Sequence, residues 1–315
     1  MDRLHVPGVS IAVLHRGVIA WAKGYGVTRT DGAPVTLREL LAHTAGTTIH
    51  GLPGYPAGDP VPHVEDILAG RSPANTKPVF VDTPSGTACR YSGGGYTVVQ
   101  KLIGDVTGRS FAQISSDEVL RPASMTNSRF AQPLPSSALA RAALPHDAMG
   151  NPLPGGPRTY PEPAAAGLWS TPTDLLRYAV AVRDSAQGKP GVLLDQELAT
   201  QMPNPGKGDY RLGLEVHGTP DNRDASHGGS KMGYENFLIS FIGTGDGVAV
   251  MTNGAQGNEL AREITRSVAA AHGWPRYRTI ARASIPISAT KRARPAGTYA
   301  IPGIGTFAIG GQRMG

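Results

Sequence analysis

Tyr91-Ser92-Gly93-Gly94-Gly95-Tyr96 runs directly into Thr97-Val98-Val99-Gln100-Lys101-Leu102-Ile103-Gly104-Asp105-Val106. Val99, Leu102, Ile103 and Val106 recur at helical spacing, so the second segment presents one apolar face. Gly108 supplies a stop, and the Pro84-Ser85-Gly86 turn leads in. Tyr91 and Ser92 therefore stand on a glycine-rich loop against a packed helix. Three glycines carry no side chains and tolerate positive φ, so backbone there can approach a ligand closely. A phenol and a hydroxyl at that point can hydrogen-bond a ligand or exchange protons with it. In the plainer reading, Ser92 caps the helix by accepting a backbone N–H.

The chain has 315 residues, enough for one large domain or two smaller ones. Its apolar fraction of 40% supports a core, and its charged fraction of 17% is too low for a disordered tail. The net charge of +6 is modest for this length. The densest basic run, from Arg276 through Arg294, reads as a solvated linker rather than a nucleic-acid surface. Cys89 is the sole cysteine, so no internal disulfide forms. His43, His50 and His63 share a region without the spacing of a zinc site, and no metal or cofactor is expected. No signal peptide opens the sequence and no apolar run reaches the length of a membrane span, which makes the cytoplasm the expected location.

Outward from the central helix the pattern changes character. Val9–Leu14 and Val18–Trp21 predict a hairpin across His15-Arg16-Gly17. Thr36 and Glu39 form a capping box for a short helix ending near His43. Long irregular, proline-rich stretches cover 47–85 and 131–165, as functional loops do. Short helices are expected at 63–68 and 193–202, and longer ones at 111–120 and 175–182. The last third predicts strands at Tyr210–Val216, Phe237–Phe241 and Val248–Met251, a glycine-rich turn at His227–Gly233 and a helix at Glu259–Ala271. Strand pair, helical middle, strands, helix is the order of an α+β sandwich.

Several blocks then carry a resemblance. They are Val6-Pro7-Gly8-Val9-Ser10-Ile11-Ala12-Val13, Leu40-Leu41-Ala42-His43-Thr44-Ala45-Gly46, Tyr91-Ser92-Gly93, Ala166-Gly167-Leu168-Trp169-Ser170-Thr171, His227-Gly228-Gly229 and Val250-Met251-Thr252-Asn253. In this order the chain resembles the serine hydrolases related to class C β-lactamases, D-alanyl-D-alanine carboxypeptidases and family VIII esterases. The resemblance implies a β-lactamase/transpeptidase-like α+β fold. Its antiparallel sheet would come from both chain ends, 1–30 and 165–275, with flanking helices and an inserted helical lobe at 31–164. A linker and a truncated β segment would fill 276–315. It implies Tyr91 as the general base, with Ser92, Gly93, His227, Gly228 and Gly229 lining the substrate cleft, and Gly93 where the family often has asparagine. The implied ligand is a small ester, a β-lactam or a peptide-like molecule.

The family's Ser-x-x-Lys nucleophile motif is missing. The interval that should hold it, Thr28–Glu39, contains no serine and no lysine. Ser288-Ala289-Thr290-Lys291 fits by letters but lies among prolines and basic residues, far from the family's order. No Gly-x-Ser-x-Gly elbow occurs, which excludes an α/β-hydrolase nucleophile. A serine hydroxyl needs a neighbour to take its proton, and a tyrosine serves as that base only where positive charge lowers its pKa. The expectation is a hydrolase of this family with impaired catalysis and reduced stability. Two alternatives are a non-catalytic binding module that keeps the cleft, and an esterase using another serine, with Ser92 the nearest substitute.

Overall fold

The computed structural model describes residues 8–15, 18–26, 34–191, 193–204, 207–279, 297–301 and 305–309. The interval 27–33 and the Ser288–Lys291 match lie outside them. The chain divides into two compact units, Met1–Arg278 and Thr279–Gly315.

The first unit opens with strands β1 (Gly8–His15) and β2 (Val18–Gly26), an antiparallel hairpin with a bulge at Val13/Leu14. The short helix α1 (Leu37–Leu41) starts at the expected capping box: Glu39 N–H donates to Thr36 Oγ1 at 3.2 Å and Thr36 N–H to Glu39 Oε2 at 2.8 Å. Helix α2 (Val64–Ala69) ends on Gly70 in the left-handed region. Helix α3 (Gly93–Thr107) is capped by Ser92 and stopped by Gly108 at φ +65°. Helix α4 (Phe111–Ser115) continues through a π-turn to Leu120, and α5 (Ser136–Leu139) and α6 (Pro163–Ala166) are single turns. Helix α7 (Pro172–Ala186) has Thr171 as its cap and Pro172 in its first turn, where the missing N–H costs nothing. Helix α8 (Gln196–Gln201) precedes the sheet.

That sheet is antiparallel in the order β3 (Glu215–His217), β4 (Asp224–Lys231), β5 (Tyr234–Phe241), β6 (Gly247–Thr252). Helix α9 (Gly257–Ala271) closes the unit and packs on one face. Ile239 and Phe241 meet Ala269 and Trp274 there. Alternate residues of β5 point the other way, as a pleated strand requires, and helix α7 covers that side. A second core joins α1 to α3 through Leu40, Ala45 and Val99, and a third joins Leu120, Ala123 and Met125 to Leu175 and Tyr178 of α7. No helix among the described residues is long and apolar enough to cross a membrane.

The α+β class and the antiparallel sheet are as expected. The pairing differs in one respect. Among the described strands β1 gives its ladder only to β2, and the four-stranded sheet draws all its strands from the C-terminal part. The expected turn at His227–Gly233 is strand as far as Lys231, because Gly228 and Gly229 pair with Phe237 and Asn236. The turn itself is Met232-Gly233, with Gly233 at φ +78°. Tyr210–Val216 narrows to the three residues of β3. The basic run behaves as structure at its start: Arg276 Nε lies 2.6 Å from buried Asp224, and Tyr277 Oη donates to the same carboxylate at 2.7 Å. In the second unit, β7 (Gly297–Ile301) and β8 (Gly305–Ile309) form an antiparallel hairpin.

Candidate active site

Helix α3 delivers Tyr91. Its first turn contains all three glycines, and these pack against residues 47–50, which leaves only Gly93 on the wall of a cleft. Gly93 N–H donates to His50 O at 3.1 Å and Gly94 N–H to Ile49 O at 3.0 Å. A Cβ on Gly94 would stand 2.7 Å from Thr48 O and 3.1 Å from Ile49 Cβ. Only a side-chain-free helix start fits so close to another backbone segment. Gly94→Ala is therefore expected to lower the free energy of unfolding by about 1–3 kcal/mol through overpacking. Gly104→Ala, whose Cβ would meet nothing nearer than 3.9 Å, is expected to raise it by roughly 0.5–1 kcal/mol. Urea unfolding of the two variants tests this reading, and equal effects would refute it.

Ser92 is 1% exposed. Its Oγ accepts Gly95 N–H at 2.9 Å and donates to Thr48 O at 2.6 Å. Its own N–H donates to His43 Nδ1 at 3.1 Å. The hydroxyl is engaged as a helix cap and does not line the cleft, which removes the geometric basis for Ser92 as a substitute nucleophile.

His43 follows α1 at φ +56°, a conformation that histidine tolerates better than most side chains at a helix C-terminus. Its ring lies 4.2 Å from that of Tyr91, 5.1 Å from Tyr96 and 4.7 Å from Tyr210. Burial, then the neighbouring His227 and His50, hold its pKa down at about 4 from an ordinary 6.5. The folded state thus keeps a neutral imidazole that the unfolded chain protonates near pH 6.5. This contribution, about 3 kcal/mol, is fully present above pH 6.5 and is lost as pH falls toward 4. His43→Asn, which tolerates the same backbone conformation, is expected to flatten that slope in urea titrations between about pH 7 and pH 4.5. An unchanged slope would show that other groups set it.

Tyr91, Gly93, His227, Gly228 and Gly229 line one cleft of about 750 Å³, together with His50, Tyr210, Glu215 and Lys231. The Tyr91 ring centroid is 5.0 Å from His50, 5.4 Å from Tyr210 and 6.3 Å from His227. Its hydroxyl makes no hydrogen bond among the described residues. Burial and then the Glu215 carboxylate raise its pKa. Tyr210 rises further through burial and its bond to Glu215. Burial lowers the pKa of His227, whose Nδ1 meets Gly228 O at 2.5 Å. The phenol of Tyr91 is therefore a proton donor at neutral pH, with the Glu215 carboxylate as its charged neighbour.

Strand β4 supplies the opposite wall. Strand β3 pairs with it only over Asp224–Ser226, so from His227 onward the outer edge of β4 has no partner strand among the described residues. Such an edge offers free backbone donors and acceptors to an extended ligand. Ser230 Oγ donates to Glu235 Oε1 at 2.7 Å, and Asn258 Nδ2 donates to the other oxygen of Glu235 at 2.9 Å.

Lys231, Glu162, Tyr210 and Glu215 lay outside the sequence reading of the site. Lys231 follows a glycine pair that suggests a turn, and Glu162 lies 69 residues earlier in a proline-rich loop, so only the fold brings them together. Lys231 Nζ lies 4.4 Å from the ring centre of Tyr160. Burial lowers its pKa to about 8 against the opposing pull of Glu162. Glu162 is 1% exposed, and burial raises its pKa to about 6.

Comparison with known proteins places this geometry. The sequence model of the family described as Beta-lactamase matches residues 27–273. The PbpX protein of Bacillus subtilis (strain 168), named as a penicillin-binding protein, is 24% identical over 247 residues, covering 76% of this chain and 56% of its own. The chain thus spans little more than half the length of that relative. The octameric penicillin-binding protein homologue from Pyrococcus abyssi superposes with a TM-score of 0.58 at 19% identity, over 87% of this chain and 75% of its own. The D-amino acid amidase from Ochrobactrum anthropi SV3, in complex with L-phenylalanine amide, gives 0.56 at 19% identity, over 76% and 72%. These two likenesses concern the fold. The family model covers most of the sequence, from the end of the first hairpin to the end of α9, and on that match the chain belongs to the beta-lactamase family.

Proposed function

We propose that this protein is a β-lactamase-family cleft for a small ester, β-lactam or peptide-like ligand, with its hydrolytic step impaired. The observation that carries the reading is the setting of Tyr91, whose described ring neighbours are His43, His50, Tyr210 and His227, with no lysine or arginine among them. A tyrosine base needs a cation beside it, and here burial and Glu215 push the phenol the other way. The remaining support is of the same kind: the Ser92 hydroxyl is taken up by capping, and Thr28–Glu39 offers neither serine nor lysine. The ligand class follows the relatives, one named for penicillin binding and another an amidase of D-amino acids.

Labelling with a fluorophosphonate probe, read by intact mass and peptide mapping on folded protein, tests the reading. No adduct is expected. A stoichiometric adduct on one serine would replace it with an active hydrolase. One position has a geometric claim to that second reading: Ser230, the sole serine or threonine among the described residues that line the 750 Å³ cleft, hydrogen-bonded to a carboxylate.

A further inference from the structure

Lys231 is a largely buried ammonium with three N–H donors and no hydrogen-bonded acceptor among the described residues. Its described contacts are the face of Tyr160 and a Coulombic pull from Glu162 that closes no ion pair. Isolated buried charge is unfavourable by several kcal/mol unless something compensates it. Tyr160 compensates in part, through the attraction of its ring face for the cation. The donors themselves stay unmatched.

A second donor stands beside it. Strand register pairs Lys231 with Tyr234 and Gly229 with Asn236, which makes Asn236 the diagonal neighbour of Lys231 on the same face. Asn236 Oδ1 accepts Thr252 N–H at 3.2 Å, and that bond fixes the amide so that its NH₂ points elsewhere. The NH₂ group bonds to nothing among the described residues and lies 3.7 Å from where a Gly229 side chain would begin. Gly229 leaves the strand bare between His227 and Lys231. An ammonium and an amide thus flank an open patch, with five N–H donors that meet no acceptor among the described residues.

The patch forms one side of a second cleft of about 450 Å³ between the sheet and the helical lobe. Phe130, Leu175, Leu214, Leu238 and Met251 line it, and among the described residues Lys231 is the sole lysine, arginine or carboxylate side chain on its walls. Glu162 does not line it.

We propose that Lys231 and Asn236 bind the carboxylate of an apolar carboxylic acid whose hydrocarbon part lies in this cleft. Carboxylate oxygens accept several donors at once, and charge-assisted bonds to an ammonium are about twice as strong as neutral ones. The apolar wall supplies affinity in proportion to the surface buried. The inference builds on the proposed small-ligand cleft but not on the state of its hydrolytic group. An active serine would overturn the impairment and leave Lys231 its role.

Isothermal titration of the full chain with octanoate and with octanol separates the two contributions. Octanoate is expected to bind at least tenfold more tightly. Lys231→Met, which removes a buried charge and keeps an apolar stem, is expected to fold and to bind both ligands alike, at the octanol level. Lys231→Arg is expected to retain a preference for octanoate and serves as the readout if the methionine variant fails to fold. Equal binding of the two ligands by the wild-type chain, no binding of octanoate, or an undiminished preference in Lys231→Met would each overturn the proposal.

Discussion

Nitrocefin and p-nitrophenyl esters are expected to be hydrolysed by this protein about a millionfold more slowly than by an active family member measured alongside it. Loss of the nucleophile from a serine–base unit has a cost of that order, and the residual rate from binding and backbone donors stays within about 10³–10⁴ of the solution reaction. The structure adds a sharper expectation. With the Tyr91 phenol protonated, its removal takes away a hydrogen-bond donor and no base. Tyr91→Phe should therefore leave the residual rate within about threefold of the wild type, a difference below 1 kcal/mol in transition-state stabilisation. A tenfold or larger loss of kcat/KM in Tyr91→Phe, without a change in thermal midpoint, would mean that the phenol carries a proton in a working site. Substantial wild-type turnover sensitive to Ser230→Ala would point instead to the hydroxyl on Glu235.

The parts of this molecule that were legible in the sequence are those fixed by neighbours along the chain. The Thr36/Glu39 box and the Gly108 stop act within four residues, and each stands where local chemistry puts it. Tyr91 and His227 were placed on one cleft by resemblance of their motifs, and the fold brings their rings to 6.3 Å. What escaped was set by tertiary pairing. Gly228 and Gly229 look like a turn in isolation and become strand because β5 supplies the ladder. The glycine run at Gly93–Gly95 looks like a ligand loop and is a packing surface, because residues 47–50 cross it. Lys231 looks like a turn residue, and its chemistry emerges only when Tyr160 and Glu162 arrive from the helical lobe.

A buried carboxylate ties together two segments that line the apolar cleft, and Asp174→Ala is expected to destabilise the protein by about 3 kcal/mol. Asp174 is 0% exposed, in the first turn of α7. One oxygen accepts Asn127 N–H and Ser128 Oγ–H, each at 2.8 Å, and the other accepts Arg177 Nη1–H at 2.8 Å. Arg177 is 44% exposed, so solvent screens its share and the ion pair alone is worth little. The larger cost lies in the donors left behind. A buried N–H without a partner costs about 1–3 kcal/mol, and a buried hydroxyl adds to it. Asn127 and Ser128 begin the segment that leads to Phe130, while Asp174 precedes Leu175, and Phe130 and Leu175 both line the 450 Å³ cleft. Loosening this junction should therefore weaken octanoate binding along with stability. Asp174→Asn keeps one acceptor oxygen and is expected to fall between the wild type and the alanine variant. Urea unfolding gives the order of the three. A loss below about 1 kcal/mol in Asp174→Ala would mean that water satisfies the freed donors and that the wall is held by its apolar contacts alone.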